Sequence, residues 1–298
     1  MVIMFLRQIS YISLYMFPFA EPLVAEREEE SFWSVYELAS GKIIHAWIHI
    51  DCFFIQLILS PNCMQKLKDY LSSLDIKKSL ENGIDEVDFY GVFMTERKLW
   101  PDSNYGWLGD EHIAAYMKVL ARRLQRDPCP YHNERVIILD PEVATRKKLI
   151  TDVDHLYIIH QTGGNHWVTL HVNLLRSHID CYDCIVGEHT DDIDGKMLEV
   201  CRPFTRMIPQ MINELFPSEV RTPQYDQFSF RRRDKKKVPQ NHIRGDCGVY
   251  ALKILEYLLL GVCFDGITDA NIQVRRVRVA AKIFDEAPER MPARFLET

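Results

Sequence analysis

A cysteine attacks as its thiolate, so a chain that uses one for chemistry must lower the thiol's pKa and keep a base beside it. Of the eight cysteines in this 298-residue sequence, Cys247 has both within reach of the pattern. It stands in Gly245-Asp246-Cys247-Gly248, directly before an apolar run that carries Val249, Leu252, Leu255 and Leu259 at helical spacing. Unpaired N–H groups and the positive end of a helix dipole would then face the sulfur. Glycine on either side leaves room for a substrate backbone. The base candidate is His166, which follows Gly163-Gly164-Asn165, and Asp183 comes 17 residues after it. An Asp that accepts the second ring N–H of such a His fixes its tautomer and stabilises the imidazolium. Asn241, with Gln240 as the alternative, supplies a side-chain amide that could donate to an oxyanion.

Competing carriers of chemistry are weaker. Cys181 and Cys184 make a lone CxxC without a second pair, and in a strand positions three apart point to opposite faces, so no metal is expected there. His45 and His49 have no third ligand nearby, no glycine-rich phosphate loop occurs, and no Gly-x-Ser-x-Gly elbow exists. The formal charge of −6 and pI near 6.0 speak against non-specific nucleic-acid binding. Eight cysteines spread over the chain are too sparse for a disulfide scaffold and read as reduced thiols. Two apolar stretches, residues 1–24 and 42–60, are interrupted by Arg7, Gln8 and Pro18 and by His45, His49, Asp51 and Gln56. Buried strands or packing segments suit them better than membrane spans or a signal peptide.

The elements that must position the cysteine, the histidine and the acid lie downstream of a boundary placed at 104/105, with residues 1–104 a poorly defined N-terminal region. Within that region the spacing of Leu67, Leu71 and Leu74 predicts a helix over 65–81, and residues 82–106 read as a connecting loop. Beyond it, Asp110 is placed to cap a helix over 111–125, and β-like runs cover 135–139 and 155–160. Alternation over 166–174, a short connection and a second run over 178–183 predict a β-hairpin that brings His166 beside Asp183. Residues 187–195 read as an acidic loop and 196–216 as a helix interrupted by Pro203 and Pro209. The charge block 231–237 reads as a solvated basic loop, with an import patch or an acidic partner's dock as its functional reading. Helices over 248–260, ended by Gly261, and over 268–285 complete the chain.

Four motifs, Trp107-Leu108-Gly109-Asp110, Asn165-His166-Trp167, Cys181-Tyr182-Asp183 and Val238-Pro239-Gln240-Asn241 leading to Gly245-Asp246-Cys247-Gly248-Val249-Tyr250, occur in this order. In this the chain resembles the Ulp-type SUMO (sentrin-specific) protease family, particularly its divergent plant forms associated with transposons, over about residues 105–285. The resemblance implies an α+β, papain-like fold, with a central mixed or antiparallel sheet flanked by helices and the nucleophile at a helix N-terminus. It implies a cysteine protease without cofactor that cleaves after the Gly-Gly tail of SUMO or a related ubiquitin-like modifier. Cys247 is then the nucleophile, His166 the base and later the acid, and Asp183 the orienting acid. Trp107 and Trp167, with Asp110 in the Trp-Leu-x-Asp motif, are the implied substrate-binding residues, the indoles walling a tunnel that admits only glycine.

The sequence departs from that pattern where the family has a Gln six residues before the cysteine, since Asn241 stands there; losing such a donor costs on the order of 3 kcal/mol. The place after the acid, often Ser in the family, is Cys184. The alternative to an active enzyme is a transposon-derived relic that only binds a modifier, and an acyltransferase on the same three residues ranks third. A monomer in the nucleus or cytosol, needing neither nucleic acid nor membrane, completes the expectation.

Overall fold

A helix that is apolar almost all round has to be buried on nearly every side, and the run after Asp246 meets that demand. In the computed structural model, which describes residues 63–73, 86–138, 152–162, 166–185, 191–215 and 225–286, it forms the central helix. The helices are α1 (Cys63–Ser73), α2 (Glu86–Met94), α3 (Asp110–Arg123), α4 (Asp191–Leu215), α5 (Cys247–Leu260) and α6 (Asp269–Glu286). The strands are β1 (Val136–Ile138), β2 (His155–Gln161), β3 (Trp167–Asn173), β4 (His178–Tyr182) and β5 (Ser229–Arg232). They form one sheet in the order β1-β2-β3-β4-β5. The outer pairs are parallel and the inner two antiparallel, so the sheet is mixed and the class is α+β.

Both faces of the sheet are covered, which is why β2 and β3 bury consecutive residues rather than alternate ones. On one face Tyr157, Ile159, Trp167 and Tyr182 join a core built from α3, α5 and α6. On the other, Leu156, Ile158, Leu170, Val172 and Ile179 pack against Phe204, Ile208, Met211 and Ile212 of α4. Helix α5 ends at Gly261, whose φ of +69° is the left-handed cap that glycine adopts most easily. Among the described residues, no helix is long and apolar enough to cross a membrane.

Four expectations are corrected. The segment 82–106 contains helix α2, because Phe89, Tyr90 and Phe93 bury against the core that α6 shares, and that packing overrides a loop-like composition. Asp110 is the first residue of α3 and not its cap; Gly109 holds the cap position, and its N–H donates to Nδ1 of the buried His112 at 2.9 Å. Helix α4 begins inside the expected acidic loop and runs through both prolines, since the buried face with Phe204 and Met211 outweighs the lost backbone hydrogen bonds. The charge block is not one solvated loop: Arg231 and Arg232 belong to β5, Arg232 is buried, and only Lys235–Lys237 form an exposed 3-10 turn. The stretches 1–24 and 42–60 and the turn Gly163-Gly164-Asn165 lie outside the described residues.

A proline inside a helix costs about 3 kcal/mol, so Pro203→Ala should raise the unfolding free energy by roughly 1–3 kcal/mol in urea titration. Phe204→Ala, which empties the face that holds the helix in place, should lower it by about 3–5 kcal/mol. A stabilised Phe204 variant would contradict this account of α4.

Candidate active site

Register decides where the chemistry can happen. The β3–β4 hairpin pairs Thr169 with Tyr182, so the residues just before β3 and just after β4 come together at one end of the sheet. His166 and Asp183 occupy those places, and His166 Nε2 donates to Asp183 Oδ1 at 2.8 Å. The Thr169 hydroxyl also donates to the Ala251 carbonyl at 2.9 Å, which locks the second turn of α5 against β3. One turn earlier lies Cys247, the first residue of α5, at the same end of the sheet.

The three side chains form one electrostatic unit. Burial works against a charged imidazole, yet the Asp183 carboxylate, assisted by Cys247, overrides it and lifts the His166 pKa to about 10. The nitrogen left on the thiol side, Nδ1, is buried and has no other hydrogen-bond partner. Asp183 is itself 5% exposed; burial alone would raise its pKa, but His166 and then Arg232 hold the carboxyl below its ordinary range. The Ile185 N–H donates to Asp183 Oδ1 at 3.0 Å, while Arg232 donates to Oδ2 from Nε at 3.1 Å and Nη2 at 2.8 Å. A thiol, an imidazole held protonated and a fixed carboxylate can support nucleophilic attack followed by proton transfer to a leaving group.

The loop that carries Cys247 is held by buried charge. Asp246 has no solvent exposure and receives Arg276, Arg97 and Gln273. The Arg276 guanidinium, also without exposure, donates to the carbonyls of Gly245 at 2.8 Å and Val92 at 3.2 Å, and to that of Gly106. Gly245 sits at φ +90°, and a Cβ there would meet Trp107 Cδ1 at 2.8 Å; one on Gly248 would meet Leu108 Cβ at 3.0 Å. The glycines flanking Cys247 therefore make room for the chain's own Trp107 and Leu108, where the sequence suggested room for a substrate backbone. None of Arg97, Arg232 or Arg276 was legible as part of a site; the one sequence signal was the position of Arg232 inside a charge block.

The other expected residues divide. Trp107 is half-buried against Gly245, whereas Trp167 is 3% exposed and donates its indole N–H to the Leu108 carbonyl at 3.0 Å. Trp167 thus holds the Trp107–Leu108 segment from within the core rather than offering an open wall. Asp110 is exposed. The Asn241 amide hydrogen-bonds the Cys184 side chain while its Oδ1 accepts from the Ile243 N–H at 3.0 Å. Gln240 Nε2 donates to the Val238 carbonyl at 2.7 Å, and its Oε1 is buried without a partner. Both amides are engaged locally. Cys181 joins the α4-side core beside Cys201, and Cys184 joins the α5-side core. Among the described residues no cluster of His, Cys, Asp and Glu is placed to hold a metal.

Because the folded His166 pKa is raised above 6.5, its contribution to stability is fully present below pH 6.5 and is lost as the pH rises through about 10. Asp183→Asn should remove that dependence and drop the His166 titration, followed by NMR of the ring, by more than one pH unit. An unchanged titration would eliminate Asp183 as the partner that sets it.

A family model described as the Ulp1 protease family, C-terminal catalytic domain, matches residues 106–291. No curated protein matches the chain. Among solved structures, it is similar to the SUMO protease Ulp1 with its catalytic cysteine oxidised to a sulfonic acid, at 16% identity over 77% of this chain and 97% of that one, with a TM-score of 0.48. It is also similar to the C-terminal Ulp1 protease domain in complex with SMT3, the yeast ortholog of SUMO, at 14% identity over 77% and 96%, TM-score 0.46. A third is the Ulp1-like SUMO protease catalytic domain of Chaetomium thermophilum, at 17% identity over 62% and 74%, TM-score 0.43.

Proposed function

Since the chain belongs to the Ulp1 protease family of cysteine proteases, we propose that Cys247, His166 and Asp183 form its catalytic triad and that it cleaves after the Gly-Gly tail of SUMO or a related ubiquitin-like modifier. The observation that carries this reading is the 2.8 Å hydrogen bond from His166 to Asp183 beside a cysteine at a helix N-terminus.

In that reading the Cys247 thiolate attacks the carbonyl carbon of the terminal glycine, forming the S–C bond and pushing the carbonyl electrons onto oxygen. As the C–N bond breaks, the imidazolium of His166 gives its proton to the departing lysine or peptide amine. The remaining thioester is hydrolysed by a water whose proton returns to His166, and the second collapse frees the modifier's carboxylate and the Cys247 sulfur. The local engagement of Asn241 and Gln240 favours the backbone N–H groups opening α5 as the donors to the oxyanion. Trp107, seated on Gly245, supports a glycine-selective approach from that side.

A SUMO probe carrying a C-terminal propargyl group should label wild type and leave Cys247→Ala unlabelled. If wild type reacts with neither this probe nor its ubiquitin counterpart, the relic that binds without turnover becomes the better reading. Asn241→Ala should slow labelling by less than about tenfold, whereas loss of a direct oxyanion donor would cost about a hundredfold or more.

A further inference from the structure

Of the two cations beside Asp183, His166 and Arg232, one loses its charge during the proposed cycle. The ionisable groups that face it are His166 before β3, Cys181 and Cys184 on its own segment, and Arg232 from β5, while Cys247 at the head of α5 faces His166 and Cys184. His166 must give up its proton to the leaving amine, and at that moment a carboxylate 5% exposed faces a neutral imidazole. A buried carboxylate without a cation is costly enough to take up a proton instead. Arg232 stays charged throughout, because a guanidinium does not deprotonate in proteins.

We infer that Arg232 is a positioning residue for the catalytic pair: it keeps Asp183 ionised through the whole cycle and aims Oδ1 at His166 by holding Oδ2. The inference rests on the triad reading above. Its geometry comes from strand alternation. Along β5 the period of two sends Arg231 and Arg233 toward Asp180, at 2.9 and 3.6 Å, and leaves Arg232 on the other side. Parallel pairing sets Arg232 opposite Cys181, two residues before Asp183, so the long side chain reaches forward along the sheet. Nε and Nη2 both donate to Oδ2, and Nη2 also donates to the Ile185 carbonyl at 3.0 Å. The guanidinium thereby fixes the backbone on the far side of Asp183 as well as its carboxylate. With Oδ2 taken, the Ile185 N–H and the His166 ring are left with Oδ1. The side chain of Arg232 is 4% exposed, so little water competes for these bonds.

The test uses the full chain with Arg232→Met and Arg232→Lys, and reads the rate of Cys247 alkylation by iodoacetamide against pH by mass spectrometry, beside cleavage of a SUMO fusion. Arg232→Met should shift the acid limb of Cys247 reactivity to higher pH by about one to three units, since Asp183 then takes up a proton more readily. Arg232→Lys restores a charge without the fork, so it should recover most of that limb while cleavage stays about tenfold or more slower at unchanged KM. A folded Arg232→Met variant with the wild-type limb would overturn the inference. Should Arg232→Met not fold, Arg232→Lys decides alone: wild-type limb and wild-type cleavage or alkylation rate would remove any need for the fork. Alkylation needs no modifier, so a wild type with reactive Cys247 that leaves SUMO fusions intact would sink the substrate reading and not the role of Arg232.

Discussion

A single guanidinium with no exposure to water, that of Arg276, joins three stretches of chain that are far apart in sequence. It holds the carbonyl of Val92 at the end of α2, that of Gly106 just before Trp107, and the Gly245–Asp246 turn that opens α5. Removing a buried charge from such a setting is costly because every partner is left unsatisfied. The placement of Cys247 thus depends on a residue of α6, and the chain before residue 100 takes part through α2. Helix α5 can be aimed at the hairpin end because its N-terminal part is held at two points, at its cap by Arg276 through Asp246 and one turn on by Thr169 through Ala251.

The hairpin and the helix behind Cys247 were legible in the sequence because each obeys a local rule. Alternation in 166–174 and the apolar run after Asp246 leave little choice of element, and antiparallel pairing then puts the ends together. Residues whose meaning depends on a distant partner were not legible. Arg232 looks like its neighbours in a basic run until parallel pairing with β4 places it two residues short of Asp183. Arg276 sits in a helix rich in arginine, and nothing local separates it from Arg275 or Arg278. The glycines around Cys247 signal a close approach, but the sequence points to a substrate backbone, whereas the groups that occupy the space, Trp107 and Leu108, lie well over a hundred residues away.

The prolines of α4 teach the same lesson in reverse. Pro203 and Pro209 are strong local signals for interruption, and they are overruled by a sheet face that needs covering along its length. Local propensity decided the C-terminal end of α5, where Gly261 stops the helix, and tertiary burial decided the middle of α4.

The contact between Trp107 and Gly245 makes the indole and the turn before Cys247 mechanically inseparable. The indole rests on the glycine two residues before Cys247, and the next residue, Leu108, is pinned by the Trp167 N–H while filling the space over Gly248. Any redesign that trims Trp107 also unloads the turn that carries Cys247. The two therefore cannot be altered one residue at a time; the indole and the turn it rests on must be changed as a set.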